Sequence, residues 1–286
     1  MTKRLLRSPR WRRLGFGLRT VLGLRPPGGF FIPYRYAASV EPIGYGALEP
    51  RLAAALPACR ELLAEIERQR GALLALCGPP PAPRFDQDWF PRLDAAAAYA
   101  VVRRCRPRRI VEVGSGHSTR FLARALGDGG LPDSILTCID PAPRVALNGL
   151  AAVRRIAAVV QDAPEAVFAE LGAGDILFVD SSHVLVPGSD VDVLLNRVLP
   201  ALPTGALVHF HDVFLPDPYP AAWAWRGYGE QMALACLLQG GAYEVVFASR
   251  YLATRHAPLL AGGVLAALPL RDGAFESSLW LRKRAP

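Results

Sequence analysis

The chain has 286 residues, 51% of them hydrophobic, which is enough for one large folded domain with an appendage. Glycine and proline are frequent but follow no repeat, which excludes fibrous and solenoid architectures. The formal net charge is +8, and residues 1–40 carry nine Lys or Arg and no acidic residue. The remaining 24 basic residues face 25 acidic ones. This asymmetry predicts a basic arm over residues 1–45. Such an arm can bind an anionic membrane surface or nucleic acid, and the alternative is a solvated tail or a strap against the rest of the protein.

The five cysteines lie at positions 59, 77, 105, 138 and 236, without CxxC spacing, which predicts reduced thiols and no zinc site. The longest uncharged apolar run, residues 256–270, is too short to span a membrane. Arginines interrupt the N-terminal segment, so a signal peptide is not expected. We therefore expect a cytoplasmic protein, with any membrane contact peripheral and made by residues 1–40.

Two helical segments precede the main pattern. Over residues 50–76, apolar side chains recur at helical spacing, and a proline-rich break follows at 78–83. A second helix is predicted over 95–104. These segments together predict a helical extension over residues 46–104.

Short apolar runs alternate with helical stretches from residue 109 onward. Strands are predicted at 110–113, 135–139, 156–160, 175–180 and 206–211. Helices are predicted at 118–126, 145–152, 164–171, 190–200 and 221–239, before two last strands at 243–249 and 277–282 joined by an irregular segment. Residues 105–286 are thus predicted to form a Rossmann-like, doubly wound α/β domain, with a mostly parallel seven-stranded sheet and an antiparallel C-terminal strand.

A glycine turn, Gly114-Ser115-Gly116, links the first of these strands to a helix. The start of such a helix offers backbone N–H groups to an anion. Asp140 ends the next strand, roughly one strand–helix–strand unit later, where a carboxylate accepts hydrogen bonds from a ribose diol. The pattern indicates a nucleoside ligand, and a tight structural turn without a ligand is the alternative.

Two residues favour one nucleoside over another. Thr119 occupies the place of the third glycine of the dinucleotide fingerprint. Glu112 stands two residues before Gly114, where a carboxylate would repel a diphosphate and attract an ammonium or sulfonium group. S-adenosylmethionine has both cationic groups and no phosphate, so it is the predicted cofactor.

Polar residues follow two further strands: Asp180 and His183 after 175–180, and His211 and Asp212 after 206–211. Ligands of open parallel sheets bind beyond the carboxyl ends of the strands, so we expect these four side chains to converge there. A histidine can remove a proton from an acceptor near neutral pH. Asp180 and Asp212 could also hold a divalent cation that acidifies an acceptor hydroxyl. The alternatives are a helix-capping aspartate and structural loop histidines.

Residues 105–286 resemble class I S-adenosylmethionine-dependent methyltransferases, whose first motif is a strand ending in an acidic residue, followed by GxG. The segment RFDQDWFPRLD and residues 30–36 resemble a bacterial subgroup, a resemblance that supplies no substrate. The family resemblance implies a cofactor site that runs from the methionine end to the adenine over Glu112, Gly114, Ser115, Gly116, Asp140, Asp162 and Ala163.

The positions of Asp180 and Asp212 also resemble two metal-ligand positions of catechol-type O-methyltransferases. The chain departs from that pattern, because His211-Asp212 stands where those enzymes carry Asp-Asn. The resemblance therefore leaves the identity of the metal, and the need for one, open.

The leading interpretation is O-methylation of a small-molecule or sugar-containing acceptor by in-line displacement, assisted by His and Asp. One alternative is a nicotinamide-dependent oxidoreductase, against which stand Glu112, Thr119 and the lack of a Tyr-x-x-x-Lys pair. A second alternative is a non-catalytic, cofactor-binding protein held at a membrane by its arm. Nucleic acid is not an expected partner, because the basic residues cluster in the arm.

Overall fold

The computed structural model describes residues 9–24, 28–150 and 152–285. The chain divides into two compact units, one of Met1–Ile43 with Pro218–Tyr228, and one of Gly44–Asp217 with Gly229–Pro286. The predicted border at residue 104 falls inside the second unit and stays a prediction. No helix of the described residues is long and apolar enough to cross a membrane.

The first unit contains helix α1, Pro9–Val21, and two 3₁₀ helices, Ala37–Ser39 and Ala221–Arg226. Residues 1–8 and 25–27 of the predicted basic arm lie outside the described residues. The Arg226 guanidinium lies 3.9 Å from the centre of the Trp223 ring. Many large apolar side chains of this unit are exposed: Trp11, Leu14, Phe16, Leu18, Val21, Leu22, Leu24, Phe30, Phe31, Ile32, Tyr34, Tyr36, Val40 and Ile43.

The second unit is built on one seven-stranded sheet. Its strands are β1 Arg109–Val113, β2 Ile135–Ile139, β3 Val153–Ile156, β4 Ile176–Val179, β5 Leu207–Phe210, β6 Tyr243–Ala248 and β7 Leu279–Lys283. Their order is β3-β2-β1-β4-β5-β7-β6. The first five strands are parallel, and β7 pairs antiparallel with both β5 and β6. The predicted Rossmann-like sheet with an antiparallel C-terminal strand is confirmed.

Helices surround this sheet. They are α2 Glu49–Ala54, α3 Leu56–Arg68, α4 Arg70–Leu74, α5 Arg92–Cys105, α6 His117–Asp128, α7 Ala166–Ala169, α8 Asp190–Val193, α9 Leu199–Ala201, α10 Glu230–Gly240, α11 Ser249–Arg255 and α12 Gly263–Ala267. A π-helical segment, Leu194–Val198, joins α8 to α9, and 3₁₀ turns occur at Gly46–Leu48, Val160–Asp162 and Ala257–Leu260.

The two faces of the sheet bury separate apolar clusters, because successive strand residues point to opposite sides. Ile110 and Phe178 face the cluster that contains α5 and α6. Val111 and Val179 face the other cluster, with residues of α8 and α10. In α5 every residue from Leu93 to Val102 is buried, which is typical of a helix enclosed on all sides. The carboxyl ends of the strands are therefore held by a packed, double-sided core.

The structure corrects several predicted elements. The strand expected at 156–160 is β3, Val153–Ile156, whose Arg154 and Arg155 are exposed at the sheet edge. An edge strand needs no apolar run, so the apolar residues that follow gave a false signal. The described residues of the segment 145–152, where a helix was expected, form none, and Gly149 adopts a positive φ of 84° there.

Three longer segments also differ. The helix expected over 50–76 is divided into α2, α3 and α4. The helix expected over 221–239 is interrupted after the 3₁₀ turn, where Gly227 has a φ of 68°, and α10 begins at Glu230. The segment between β6 and β7, expected to be irregular, holds α11 and α12. In each case tertiary packing, which periodicity does not report, fixes where a helix ends.

Candidate active site

The carboxyl ends of β4 and β5 bring four predicted residues together. The Asp180 N–H donates to the Val113 carbonyl at 3.0 Å, and the His211 N–H donates to the Val179 carbonyl at 3.0 Å. These backbone bonds continue the sheet by one residue beyond each strand. Asp180 and His211 therefore stand side by side at the edge where ligands of parallel sheets bind.

The two carboxylates bridge the two imidazoles. Asp180 Oδ1 lies 3.4 Å from His183 Nε2 and 3.4 Å from His211 Nδ1. Asp212 Oδ2 lies 3.7 Å from His183 Nε2, and its Oδ1 lies 3.6 Å from His211 Nδ1. The predicted convergence of these four side chains is thus present in the structure, while their roles in catalysis stay a prediction. We call Asp180, His183, His211 and Asp212 the strand-end network.

The backbone of this network is strained at two positions. Among the described residues, four other than glycine have a positive φ, and two of them are His183 at 60° and Asp212 at 54°. A side-chain-bearing residue in that region costs on the order of 1–3 kcal/mol. The His183 carbonyl accepts the N–H groups of Gly229 and Glu230, at 2.8 and 3.2 Å, which holds this turn against the start of α10. Such strain concentrates at functional sites.

Two outer carboxylates complete the network, and sequence reasoning did not assign them to it. Glu230 Oε2 lies 2.9 Å from His183 Nδ1, and only 1% of Glu230 is exposed. Asp94 Oδ2 lies 3.3 Å from His211 Nε2, and Asp94 also accepts the N–H groups of Ser277 and Ser278. Each imidazole therefore lies between an outer carboxylate and the inner pair. No local sequence motif predicts these two contacts, because the partners are separated by 47 positions in one pair and by 117 positions in the other.

The charges of the network are coupled. Burial alone would lower the pKa of both imidazoles. The negative charges of Asp180 and the other carboxylates, with the hydrogen bonds that these carboxylates accept, instead raise the pKa of His183 and of His211 well above the ordinary value. Burial would raise the pKa of Asp180, yet the neighbouring His211 and His183 hold it well below its usual range. Burial raises the pKa of Glu230, and its bond to His183 only partly opposes this. Asp180 is thus an anion that lies between two imidazoles of raised pKa.

Asp180 is also the most accessible member of the network. Its side chain is 28% exposed, against 12% for Asp212, 5% for His211 and 4% for His183. A bound acceptor would therefore meet the Asp180 carboxylate first, with the imidazoles behind it.

His209 is a structural histidine. Its ring stacks on Phe178, with ring centres 3.7 Å apart, and its Nε2 lies 2.8 Å from Ser278 Oγ. Burial, reinforced by the charge of His211, holds the pKa of His209 well below its usual value. It supports the strand behind the network as a neutral ring.

The predicted use of Asp180 and Asp212 as metal ligands is not supported. Among the described residues, no group of three or more His, Cys, Asp or Glu side chains is arranged to hold a metal ion. The donor set does not fit a cation, because these carboxylates already face two imidazoles of raised pKa.

The glycine turn lies directly beside the network. Gly114 has a φ of 81°, and a Cβ atom there would overlap the carbonyl oxygen of Asp180, so only glycine fits. At Gly116, by contrast, no other atom lies within 4 Å of the place of a Cβ. The first glycine therefore permits close packing, and the second leaves open space for a ligand.

Asp140 ties the turn to β2. Its Oδ2 accepts the Ser115 N–H and the Ser115 hydroxyl, both at 2.8 Å, and its Oδ1 accepts the Ala142 N–H at 2.7 Å. Asp140 is only partly buried, so ribose hydroxyls can reach its carboxylate. Asp162, which is exposed, ends a 3₁₀ turn, and the partly buried Ala163 follows it. Their contacts with ribose and adenine stay predictions.

Glu112 lies beneath the turn and is fully buried. Its carboxylate accepts hydrogen bonds from the Ser118 and Thr119 hydroxyls, each at 2.6 Å, and from the Cys138 thiol at 3.1 Å. Burial raises the pKa of Glu112 to about 7, although these bonds oppose it. The carboxylate thus fastens the start of α6 to β1 and β2, and its predicted contact with an ammonium group stays a prediction.

Buried polar atoms without partners test whether a cofactor fits here. Ser181 Oγ, one residue after Asp180, and His117 Nδ1, one residue after Gly116, have no hydrogen-bond partner among the described residues. Leaving such an atom unpaired costs about 1–3 kcal/mol. A polar ligand that follows the turn toward the end of β4 would supply both partners, so the residues fit a nucleoside cofactor.

The sheet order and the glycine turn after β1 agree with the predicted fold of class I S-adenosylmethionine-dependent methyltransferases. Residues 111–213 match the protein family described as Methyltransferase domain, and this match supports an S-adenosylmethionine-dependent methyltransferase. The match favours a methyltransferase over the nicotinamide-dependent alternative.

Solved structures give more distant likenesses. The chain resembles the S-adenosylhomocysteine-bound methyltransferase PaMTH1 of Podospora anserina, at 15% identity over 90% of this chain and 100% of that one, with a TM-score of 0.41. It also resembles the mitomycin 7-O-methyltransferase MmcR, at 19% identity over 96% of this chain and 83% of that one, with a TM-score of 0.35. No curated protein sequence matches the chain.

Proposed function

We propose that the chain transfers the methyl group of S-adenosylmethionine to an oxygen atom of a small-molecule or sugar-containing acceptor. The observation that carries this proposal is the position of the strand-end network, whose Asp180 carbonyl touches the glycine turn at Gly114. A cofactor at the turn would thus place its sulfonium methyl group near the network. When bound, the cofactor supplies the electrophilic methyl carbon.

The transfer is an in-line displacement. The acceptor oxygen forms a bond to the methyl carbon while the carbon–sulfur bond breaks, and the sulfur keeps the electron pair. The acceptor hydroxyl loses its proton in the process, so a base within reach accelerates transfer. The strand-end network is the group of bases at this edge of the sheet.

Within the network, the accessible Asp180 carboxylate orients the acceptor hydroxyl, and His183, once it is deprotonated above its raised pKa, receives the proton of that hydroxyl at Nε2. Glu230 holds Nδ1 of the same ring, which fixes the tautomer and stabilises the imidazolium that forms. His211, held by Asp94 at its other nitrogen, keeps Asp180 ionised. This division of roles follows the exposure of the side chains, and it requires transfer to increase with pH through the raised pKa of His183.

The cofactor site that we propose runs from Gly114, Ser115 and Gly116 through Asp140 to Asp162 and Ala163. It is supported by the open space at Gly116, by the carboxylate of Asp140 beside the turn and by the family of the domain. In this proposal Glu112 contributes indirectly, because its hydrogen bonds to Ser118 and Thr119 hold the glycine turn in place.

We also propose that the first unit contacts an anionic membrane surface. Residues 1–40 have no acidic residue and nine basic ones, and the described part of this segment exposes many aromatic and aliphatic side chains. Apolar side chains that enter the lipid interface, together with arginines that face anionic headgroups, are typical of peripheral binding.

The test of the methyltransferase proposal is calorimetric titration with S-adenosylhomocysteine, followed by transfer of an isotope-labelled methyl group to a metabolite extract and mass analysis of the products. We expect binding, and a labelled product whose added mass is one methyl group on oxygen. Binding of NAD(H) without binding of S-adenosylhomocysteine would reject the proposal. Cofactor binding without a labelled product from any extract would favour a non-catalytic role.

A further inference from the structure

Two arginines and a histidine near the glycine turn have no part in the chemistry above. His117 and Arg120 lie three residues apart on α6 and therefore share a face of that helix. Arg84 lies near them, because Phe85 packs against Phe121 with ring centres 5.0 Å apart. We call Arg84, His117 and Arg120 the cationic cluster.

Arg120 is buried without a counter-charge. Only 4% of the residue is exposed, and its Nη2 donates to the Ala146 carbonyl at 3.2 Å. Its Nε has no hydrogen-bond partner, and no carboxylate pairs with the guanidinium in the part of the chain that the structure describes. Burial, reinforced by Arg84, lowers the pKa of Arg120. A buried cation without a partner is costly, which indicates that an anion completes its surroundings.

His117 adds a second unsatisfied group on the same face. Its Nδ1 is buried and has no partner among the described residues. Burial, followed by the charges of Arg120 and Arg84, lowers the pKa of His117, which Asp88 opposes. The first turn of α6, a helix of 12 residues, also presents the positive end of its dipole here. The start of this helix and the two arginines favour a negatively charged group, to which the neutral His117 ring can donate a hydrogen bond.

We infer that the cationic cluster binds a carboxylate or phosphate group of a molecule seated at the glycine turn. His117 directly follows Gly116, where the structure leaves open space, so the anion belongs to a ligand of that turn. It has two sources: the amino-acid carboxylate of the cofactor, or an acidic group on the acceptor. The inference deepens the proposed function and rests on it for the identity of the ligand.

The test compares Arg120→Met with Arg124→Met, one turn further along α6, where Arg124 is more exposed and pairs with Asp128. Calorimetry measures binding of S-adenosylhomocysteine and of its decarboxylated analogue, which keeps the ammonium group and lacks the carboxylate. If the cofactor supplies the anion, Arg120→Met weakens S-adenosylhomocysteine binding by at least about tenfold and leaves the analogue within about twofold. Arg124→Met leaves both unchanged.

Inorganic phosphate provides the second arm. If the acceptor supplies the anion, Arg120→Met keeps its affinity for S-adenosylhomocysteine and loses the phosphate binding that the unmodified protein shows. Should Arg120→Met not fold, Arg84→Met, a change at an exposed residue, is measured in its place.

Two results would overturn the inference: unchanged affinities for S-adenosylhomocysteine and phosphate in a folded Arg120→Met protein, or equal weakening of S-adenosylhomocysteine and its decarboxylated analogue. An unmodified protein that binds no S-adenosylhomocysteine would contradict the proposed function instead, and the phosphate measurement would still test the cluster.

Discussion

His183 Nδ1 lies 2.9 Å from Glu230 Oε2 in the interior of the sheet unit, and the opposite nitrogen of the same ring faces Asp180 and Asp212. The ring is therefore fixed at one nitrogen by a buried carboxylate and presents the other to the strand ends. In the proposed reaction, the Nδ1 edge of the imidazole holds the ring in position and the Nε2 edge receives the proton. Glu230 would therefore be a positioning residue, because it would act through His183.

Glu230→Gln removes the charge behind His183. The carboxylate raises the pKa of His183, so its loss lowers that pKa. Activity that requires neutral His183 rises with pH through this pKa, and the variant should reach its plateau at a lower pH than the unmodified enzyme. The plateau itself should fall by about 10- to 100-fold, because the ring is less basic and less firmly oriented.

The measurement is the pH profile of kcat/KM. Glu165→Gln, at an exposed position, is the matched control and should leave the profile in place. A Glu230→Gln profile that is only scaled down, with no shift along the pH axis, would mean that Glu230 serves the fold alone.

Asp180→Asn should nearly abolish methyl transfer, because the amide cannot orient an acceptor hydroxyl as an anion does. Asp212→Asn should also reduce turnover, since Asp212 bridges the same rings. Both variants should bind S-adenosylhomocysteine within a few fold of the unmodified protein. Titration calorimetry and single-turnover kinetics check this, with Asp133→Asn, an exposed residue, as the control. Parallel losses of cofactor affinity and turnover would move these residues from the chemistry to the cofactor site.

Gly114→Ala should lose cofactor binding and stability together. The added methyl group would overlap the Asp180 carbonyl, and the positive φ adds strain, for a total cost of at least about 1–3 kcal/mol. Gly116→Ala, where space is open, should keep the thermal stability but weaken S-adenosylhomocysteine binding. Denaturant unfolding and calorimetry distinguish the two variants. Equal stability of both would contradict the packing described for the turn.

The first unit should bind vesicles that contain phosphatidylserine and not vesicles of phosphatidylcholine alone. The double change Arg13→Glu and Arg19→Glu should weaken this binding by about 30-fold or more, at roughly 1 kcal/mol for each basic residue removed, and salt should weaken it further. Sedimentation with vesicles measures it, and methyl transfer in solution should be unaffected. Equal binding to both kinds of vesicle, or none, would leave the basic segment without a lipid role.

Much of the sheet could be read from the chain because its central strands are buried on both faces. The runs that became β1, β2, β4 and β5 are short and apolar and are bounded by polar or turn residues. The position of the edge strand β3 was not predicted correctly, because Arg154 and Arg155 face solvent and the strand lacks an apolar run. The helices between β6 and β7 were not predicted either, since glycines and prolines divide that segment and interrupt the helical periodicity.

The candidate site shows the same division. Asp180, His183, His211 and Asp212 could be named from the sequence, because parallel strands end at one edge and polar residues directly after them meet there. Glu230 and Asp94 could not, since they reach the imidazoles from helices far along the chain. Arg120 lies on a helix that the sequence predicts, but its burial arises only from tertiary packing.

The sequence by itself determined the class of fold, the glycine turn and the polar strand ends, because these depend on neighbours in the chain and on the alternation of strand residues. Only the tertiary structure decided the charge states of the histidines, the enclosure of Glu112 and the isolation of Arg120. Those properties arise from burial and from distances between groups remote in sequence, which set the local dielectric and the partners that each charge meets.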